Sequence, residues 1–321
     1  MRRFFSLIPV MFFLLAAIGI MNVTKAQDEM AAVEIYNAKG QTVALKDVIE
    51  ALDNYEVVFV GELHNDRAAH AVELEVLQGA FARYGVEGVV KSQSRPMALS
   101  LEMFERDVQH LLDEYLAGMI LERQFLAGSR PWNNYQTDYR PLVEFARGQK
   151  LPVLAANAPD RYVNRVSRLG REALKELSTP AKTWVAPLPY GEASAAYSEK
   201  FRAAMGGMPA AAPGGAAGGH SSPHGALHLL DAQALRDATM AYTIVEHLKR
   251  QPRALVVHVN GNFHSEGRLG TPEQLLALRP GTRLLVVSVV GGEAPAKIDA
   301  ETMRQLGDFV VYKKRNVNRS F

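Results

Sequence analysis

Six short apolar segments spaced along the chain constrain its fold more than any other feature. Each is four to seven residues long and rich in Val, Leu or Ile, and several are apolar at every position. A strand that is apolar on both alternating faces is typical of a parallel sheet covered by helices on both sides. The six segments are residues 57–60, 97–101, 153–156, 254–259, 284–290 and 309–312.

The segments between these strands have helical spacing. Residues 67–84 carry apolar side chains three or four positions apart, and residues 139–149 lead into the third strand. A further strand at 33–36 and a helix at 45–52 are expected before the first of the six. This alternation predicts an α/β fold with a mostly parallel sheet flanked by helices.

Residues 159–250 interrupt the alternation, because they contain no convincing strand. We interpret them as a small helical subdomain inserted between two parts of the α/β domain, residues 27–158 and 251–321. Its helices are expected at 161–169, 192–205 and 227–249. Within it, residues 205–226 consist almost entirely of Gly, Ala, Pro, Ser, His and Met, a composition that predicts a flexible segment.

Residues 1–26 are typical of a secretory signal peptide. A basic start at Arg2 and Arg3 precedes an apolar run at 4–20, and small residues lie at the expected cleavage point before Gln27. The alternative is a single membrane anchor, for which the run is close to the lower length limit. We expect an exported, periplasmic protein. It is not expected to be a lipoprotein, because the chain has no cysteine.

Charge and cysteine content exclude several classes of function. Residues 1–26 hold three basic and no acidic side chains, so without them the net charge falls from +2 to −1. A nearly neutral chain has no general electrostatic attraction to nucleic acid. The absence of cysteine also excludes disulfides, thiolate metal sites and iron–sulfur clusters.

Polar residues follow four of the predicted strands at their carboxyl ends, where parallel sheets bind ligands. Two of these ends share the pattern G-x-x-H, beginning at Gly61 and at Gly261. The glycines are expected to let the chain turn sharply as it leaves the strand. His64 and His264 could then face each other, and Glu102 would complete a set of ligands for a divalent metal ion. Alternatively, each histidine is a surface or capping residue.

Other polar residues near these ends have two interpretations. Asn157 and Asp160 could line a pocket or belong to a turn, whereas Asp66 is expected to cap the helix at 67–84. On the long helix near the chain's centre, Gln233 and Asp237 share one face, which either lines a pocket or is solvated. The full predicted pocket set is Asn157, Asp160, Gln233, Asp237, Met240 and Asn260.

These residues resemble those of the ChaN-like haem-binding family, in the wider Tiki and erythromycin-esterase-like superfamily. The matching stretches include "VVFVGELHNDRAAHAVELEVL", "MALSLEMFERDVQ", "NNYQTDYRPLVEFARGQKLPVLAANAPD", "LDAQALRDATMAYTIVEHL" and "VVHVNGNFHSEGRLG". The resemblance implies an exported haem- or iron-acquisition protein, with haem held between two subunits by a tyrosine. It also implies a homodimer and contact with outer-membrane haem uptake machinery. Family members can be lipoproteins, from which this chain departs.

The resemblance implies a haem site on the helical subdomain. Tyr197 is the first candidate for the iron ligand and Tyr190 the second. Arg165 and Arg168 either bind haem propionates or are simply solvated. His228 lies near the low-complexity segment, which either forms a lid that brings His220, His224 and methionines to the iron or is a plain linker.

The Tiki branch implies a second function, that of a metal-dependent, peptidase-like hydrolase. In that case His64, Glu102 and His264 hold the divalent ion, and Glu62 is the catalytic acid or base. The sequence therefore predicts haem binding first and metal-dependent hydrolysis as the alternative.

Overall fold

Eight strands form one sheet in the computed structural model, which describes residues 29–85, 94–206 and 228–314. They are β1 Val33–Asn37, β2 Thr42–Val43, β3 Val57–Glu62, β4 Met97–Glu105, β5 Val153–Asn157, β6 Leu255–Gly261, β7 Leu284–Glu293 and β8 Phe309–Lys313. Their order across the sheet is β2-β1-β8-β7-β3-β6-β4-β5. Only the pairs β1–β2 and β1–β8 are antiparallel in this described part, so the sheet is mostly parallel as predicted.

Helices cover both faces of the sheet. They are α1 Leu45–Ala51, α2 Arg67–Tyr84, α3 Gln109–Leu116, α4 Glu122–Ser129, α5 Arg140–Gly148, α6 Asp160–Leu169, α7 Thr179–Lys182, α8 Ala195–Ala204, α9 Leu229–Arg250, α10 Thr271–Leu278 and α11 Ala300–Leu306. Short 3₁₀ turns follow β4 and β6, at Arg106–Val108 and Asn262–His264, and a π-helical turn at Tyr135–Tyr139 precedes α5.

The alternation of side chains along each strand divides the core into two layers. Val58 and Val60 of β3 pack in the layer that contains α2 and α5. Val57 and Phe59 point to the opposite face, where they meet Ile244 and other apolar residues of α9. Both faces are therefore buried, which is why the strands are continuous apolar runs in the sequence.

The predicted elements and the structure agree closely for the strands and the longer helices. The helix predicted at 67–84 is α2, and the one predicted at 227–249 is α9. Five of the helices given above had no counterpart in the sequence-based prediction: α3, α4, α7, α10 and α11. The described part of 159–250 contains helices and loops but no strand, as predicted, and α9 packs directly on the sheet. The domain boundaries themselves stay predictions.

Within the described ranges, no helix has both the length and the apolar character needed to cross a bilayer. The predicted signal segment at 1–26 lies outside those ranges. Most of the low-complexity segment does too, including His220 and His224.

Candidate functional site

The strands with polar residues at their carboxyl ends are neighbours in the sheet. The order β3-β6-β4-β5 brings together the ends that carry Glu62, His264, Glu102 and Asn157. Strands β7 and β8, which carry none of the predicted site residues, lie on the other side of β3. The expected convergence of the four strand ends is therefore observed.

The two G-x-x-H motifs interlock across β3 and β6. A Cβ atom at Gly261 would lie 2.7 Å from Cε1 of His64, so the imidazole of one motif packs on the glycine of the other. A Cβ atom at Gly61 would clash with the side chain of Asn262. Neither glycine has a positive φ. They are needed for close approach, and the sharp turn expected from the sequence is not their role.

His264 lies between two buried carboxylates. Its Nδ1 donates to Oδ1 of Asp237 at 2.7 Å, and its Nε2 lies 3.3 Å from Oε1 of Glu102. Glu102 also accepts a hydrogen bond from the backbone N–H of Gly261 at 2.8 Å. Asp237, on α9, accepts a second hydrogen bond from the hydroxyl of Thr271 at 2.8 Å. The site is thus tied to α9 and α10 as well as to the strands.

The charges of Glu102 and His264 stabilise each other. Burial alone would raise the pKa of Glu102, but His264 outweighs burial and lowers it to about 2. Burial alone would lower the pKa of His264, but Glu102 and Asp237 raise it to about 10. Near neutral pH the pair is therefore a carboxylate and an imidazolium.

His64 lies at the rim of this edge, with 44% of its side chain exposed. Its Nδ1 is 2.7 Å from Oε1 of Glu62, and its ring meets the ring of Trp132 edge-on at 4.7 Å between centroids. Burial opposes the charged imidazole, but Glu62 and Glu102 outweigh it and raise the pKa of His64. The ring is held in one orientation by a carboxylate and an indole.

Glu62 and Glu102 point to opposite faces of the sheet. Glu62 continues the series Val58 and Val60, which faces α2 and α5. Glu102 follows Leu101, which packs in that same layer, so its own side chain points to the other face, toward α9. The predicted single site is therefore two adjoining groups of polar residues, one on each face, with His64 at the edge between them.

A buried cluster of titratable side chains surrounds Glu62. Tyr139 donates to Oε1 of Glu62 at 2.7 Å, and Nδ1 of His70 lies 3.1 Å from Oε2. Burial alone would lower the pKa of His70, but Glu73 and Glu62 raise it to about 9. The pKa of Glu73 lies well above its ordinary value, because Glu73 is buried and close to the negative Glu62.

A cavity of about 350 Å³ opens on the α9 side of the edge; we call it the histidine cavity. Its lining residues are His64, Glu102, Met103, Glu105, Arg130, Trp132, Asn157, Asp160, Gln233, Arg236 and His264. Pockets for small organic ligands span about 300 to 1,000 Å³. The cavity therefore accommodates a small substrate or the edge of a larger ligand.

The predicted metal ligands His64, Glu102 and His264 do not form a compact ligand set. Among the residues that the structure describes, only Glu62, His70 and Glu73 bring three ligand atoms within 4.8 Å of one another. Asp237 already occupies Nδ1 of His264. As they lie, the three predicted residues do not enclose a metal ion.

Tyr197, the first candidate for the haem ligand, is buried. Its hydroxyl donates to Oδ2 of Asp237 at 2.6 Å and thereby supports His264. The hydroxyl of Tyr190 is likewise occupied, donating to the carbonyl of Asp231 at 2.9 Å. Neither phenol is free for iron in this geometry.

The remaining pocket residues divide into two groups. Asn157 and Asp160 line the histidine cavity, and the amide of Gln233 lies 3.1 Å from Nε2 of His264. Met240 is buried and does not line the cavity. Asn260 is also buried, and it bonds the carbonyl of Gly261 and the hydroxyl of Ser265, so its role is to hold the turn after β6.

Of the two other predicted haem residues, Arg165 lies on α6, and His228, directly before α9, packs against the end of α6. Arg165 donates to the carbonyl of Ala173 at 3.1 Å and pairs with Glu176. The side chain of His228 is 41% exposed, and its ring packs on Gly170. Both are separate from the histidine cavity, whose lining includes neither.

Four residues in or beside the buried cluster around Glu62 were not predicted from the sequence: His70, Glu73, Asp138 and Tyr139. His70 and Glu73 are three positions apart on α2, so they lie on one face, directly after the first G-x-x-H motif. Asp138 and Tyr139 belong to the stretch "NNYQTDY", for which the sequence suggested no role. Their signal is the presence of ionisable residues on a helix face that must be buried.

Comparisons with known proteins agree with this architecture. A family model described as "Haem-binding uptake, Tiki superfamily, ChaN" matches residues 48–275. The fold is similar to a solved structure titled "Cofacial heme binding to ChaN of Campylobacter jejuni", with a TM-score of 0.62 and 16% identity over 88% of this chain and 97% of that chain. No curated protein matches the sequence.

More distant structural similarities also appear. A succinoglycan biosynthesis protein has a TM-score of 0.47 and 10% identity over 84% of this chain and 90% of that chain. The erythromycin esterase EreC, in its open conformation, has a TM-score of 0.43 and 11% identity over 87% of this chain and 83% of that chain.

Proposed function

Because the chain belongs to the ChaN family of haem-binding uptake proteins in the Tiki superfamily, we propose that it binds haem and acts in haem or iron acquisition after export to the periplasm. The family match is the observation that carries this proposal. It runs from α1 to α10 and so includes every strand end that contributes to the site. A homodimer and contact with an outer-membrane uptake system are part of the same proposal.

The exposure of the tyrosine side chains indicates which of them could bind the haem iron. Of the eleven tyrosines, eight are buried and three are partly exposed: Tyr55, Tyr162 and Tyr242. Tyr55 precedes β3, at the amino end of the sheet, and the guanidinium of Arg106 lies 5.0 Å above the ring of Tyr242. Tyr162 lies in the first turn of α6, two residues after the cavity residue Asp160. These observations support Tyr162 as the haem ligand.

Positive charges on α6 also favour Tyr162 as the haem ligand. The guanidinium of Arg161 lies 4.5 Å from the centroid of the Tyr162 ring, where it would face an iron-bound phenolate. Arg165 and Arg168 follow on the same helix and could bind haem propionates, since guanidinium and carboxylate pair well. The exposed His228 lies at the far end of α6.

The experiment is a hemin titration of chain 27–321 and two variants, followed in the Soret region. We expect wild type and Tyr197→Phe to give the same saturable spectral change, and Tyr162→Phe to lose or shift it. Tyr197→Phe is a matched control because its phenol is buried. If Tyr162→Phe binds as wild type does, the ligand assignment is wrong. If wild type gives no saturable change, the function is wrong.

Hydrolysis is the second candidate function, favoured by one observation: two histidine–carboxylate pairs adjoin the same cavity. Protonated His264, paired with Asp237, is suited to donate a proton to a leaving group. His64, oriented by Glu62, is suited to accept a proton from water in its neutral form. No metal is assigned to His64, Glu102 and His264 in this proposal.

A screen of small ester and amide substrates tests this second function. Wild type should show turnover that is lost in both His64→Gln and His264→Gln, since each removes one of the two proton-transfer groups. Turnover that persists unchanged in both variants would come from a contaminant and would eliminate hydrolysis at this cavity.

A further inference from the structure

The haem proposal assigns no role to the buried cluster of titratable side chains around Glu62. Glu62 ends β3, while His70 and Glu73 lie one helical turn apart on α2 and point back toward it. Glu62 is 1% exposed, His70 8% and Glu73 0%. Two carboxylates in contact inside a core repel each other and lose their hydration, so they require compensating positive charge or a proton on one of them.

The protein's own hydrogen bonds leave this cluster incompletely satisfied. Oε1 of Glu62 accepts two hydrogen bonds, from Tyr139 and from His64, each at 2.7 Å. Oε2 of Glu62 and Oε1 of Glu73 have no aligned hydrogen-bond donor among the described residues. Nδ1 of His70 carries at most one proton, yet it faces both carboxylates, at 3.1 and 3.4 Å. That single proton cannot point at both carboxylates at once.

The spacing of these atoms matches the coordination shell of a metal ion. Zinc bonds to nitrogen and oxygen ligands are about 2.0–2.2 Å long, so in a tetrahedral site the ligand atoms are about 3.3–3.6 Å apart. The distances from Nδ1 of His70 to the two carboxylates, 3.1 and 3.4 Å, are close to this value. All three ligand atoms lie within 4.8 Å of one another.

The contacts of His70 on the side of the ring away from the two carboxylates are those that a metal-bound imidazole requires. Nε2 of His70 lies 3.2 Å from the carbonyl oxygen of His64 and 3.4 Å from Oδ2 of Asp138. With its proton on Nε2, the ring presents the lone pair of Nδ1 to the two carboxylates. Asn134 fixes both acceptors, donating to the His64 carbonyl at 2.8 Å and to Asp138 at 2.9 Å.

We propose that Glu62, His70 and Glu73 bind one divalent transition-metal ion of the Zn²⁺ class in the layer between β3 and α2. One imidazole and two carboxylates suit such an ion, whereas Ca²⁺ takes six to eight oxygens and Mg²⁺ keeps much of its water. The ion neutralises both carboxylates and joins α2 to the sheet. Because Glu62 also holds His64, the ion fixes the orientation of the histidine at the rim of the cavity.

The test is metal binding by tag-free, chelator-treated protein without hemin, so that it is independent of the haem proposal. Zn²⁺ is titrated against a competing chromophoric chelator, and Co²⁺ absorption reports the geometry. Wild type should bind a single Zn²⁺ per chain and unfold at a higher temperature with the ion than without it. Glu73→Gln, which is nearly isosteric, should weaken binding at least tenfold.

Glu56→Gln is the matched control. Glu56 is also buried, but it lies just before β3, at the opposite end of the sheet. The Glu56→Gln variant should bind Zn²⁺ as wild type does, and the far-ultraviolet circular dichroism of both variants should match that of wild type. Absence of stoichiometric binding by wild type would overturn the proposal. So would full binding by Glu73→Gln, which would place the ion elsewhere, including at the histidines outside the cluster.

Discussion

At the scale of single residues, a substitution at Gly261 tests how closely the site is packed, because Gly261 contacts His64. A Cβ at Gly261 would lie 2.7 Å from the imidazole, which is too close for unstrained atoms. We expect Gly261→Ala to lower the free energy of unfolding by about 1–3 kcal/mol, the usual cost of overpacking, and to displace His64. Chemical denaturation measures the change.

Gly148→Ala is the control for this substitution. Gly148 ends α5 without a positive φ, and a Cβ added there would meet no atom within 4 Å. The alanine there should leave stability within about 1 kcal/mol of wild type or raise it slightly. Equal losses in both variants would mean that the loss at Gly261 has no connection with His64.

The Glu102–His264 pair predicts how stability depends on pH. The pKa of Glu102 is lowered to about 2, so its contribution is complete above about pH 4.5 and is lost as the pH falls toward 2. The pKa of His264 is raised to about 10, so its contribution is complete below about pH 6.5 and is lost as the pH rises through 10. The pair therefore stabilises the fold most at about pH 4.5–6.5.

Denaturant midpoints between about pH 2 and pH 6.5, for wild type and Glu102→Gln, measure the acid side of the effect. Glu102→Gln should lose less stability than wild type on acidification, because its amide does not titrate. The same acid loss in both proteins would show that other carboxylates dominate and that the pair is not strongly coupled.

The placement of Glu62 and Glu102 on opposite faces could not be predicted from the sequence, because both strands are buried on both faces and alternation alone does not relate the face of one strand to that of another. The burial of His70 and Glu73 was also hard to predict. The sequence favoured a helix face through Leu74 and Phe81, which are only partly buried. The face that packs on the sheet combines small alanines with Val72 and Val76, and the polar pair interrupts it, so its apolar stripe is weakly marked.

At the scale of elements, α9 connects the helical segment to the sheet. Ile244 is fully buried against Phe59 and other strand residues, although it belongs to the segment predicted as a subdomain. Ile244→Ala should lower the free energy of unfolding by about 2–5 kcal/mol, since the cavity it leaves is enclosed by the sheet. Lys249→Ala, on the exposed side of the same helix, should change it by less than about 0.5 kcal/mol.

Fluorescence and circular dichroism should report a single, coincident transition for Ile244→Ala, as for wild type. Two separate transitions would mean that the helical segment unfolds independently and would contradict the packing of α9 on the sheet.

Strands were more predictable than short helices, for a physical reason. A strand buried on both faces has to be apolar throughout, and each of the six predicted strands lies close to a strand of the structure. Helices α3 and α4 have mixed sequences and bury only a few side chains each, among them Leu112 and Phe125. Their packing depends on neighbours distant in the chain, which periodicity does not report.

At the scale of the whole molecule, export is a prediction that mass measurement tests. Expressed with its own N-terminus in a bacterium, the protein should appear in the periplasm with a mass that corresponds to cleavage before Gln27. Removing residues 1–26 also shifts the net charge from +2 to −1, which isoelectric focusing detects. A periplasmic or membrane-bound protein that retains the full mass would instead support an N-terminal anchor.

Haem binding by a dimer is tested by hemin titration of chain 27–321 together with size-exclusion chromatography coupled to light scattering. We expect a Soret change that saturates at a stoichiometric amount of hemin, with the haem co-eluting with a dimer. Absorbance that rises linearly, as for hemin in buffer alone, with no haem in the protein peak, would contradict it.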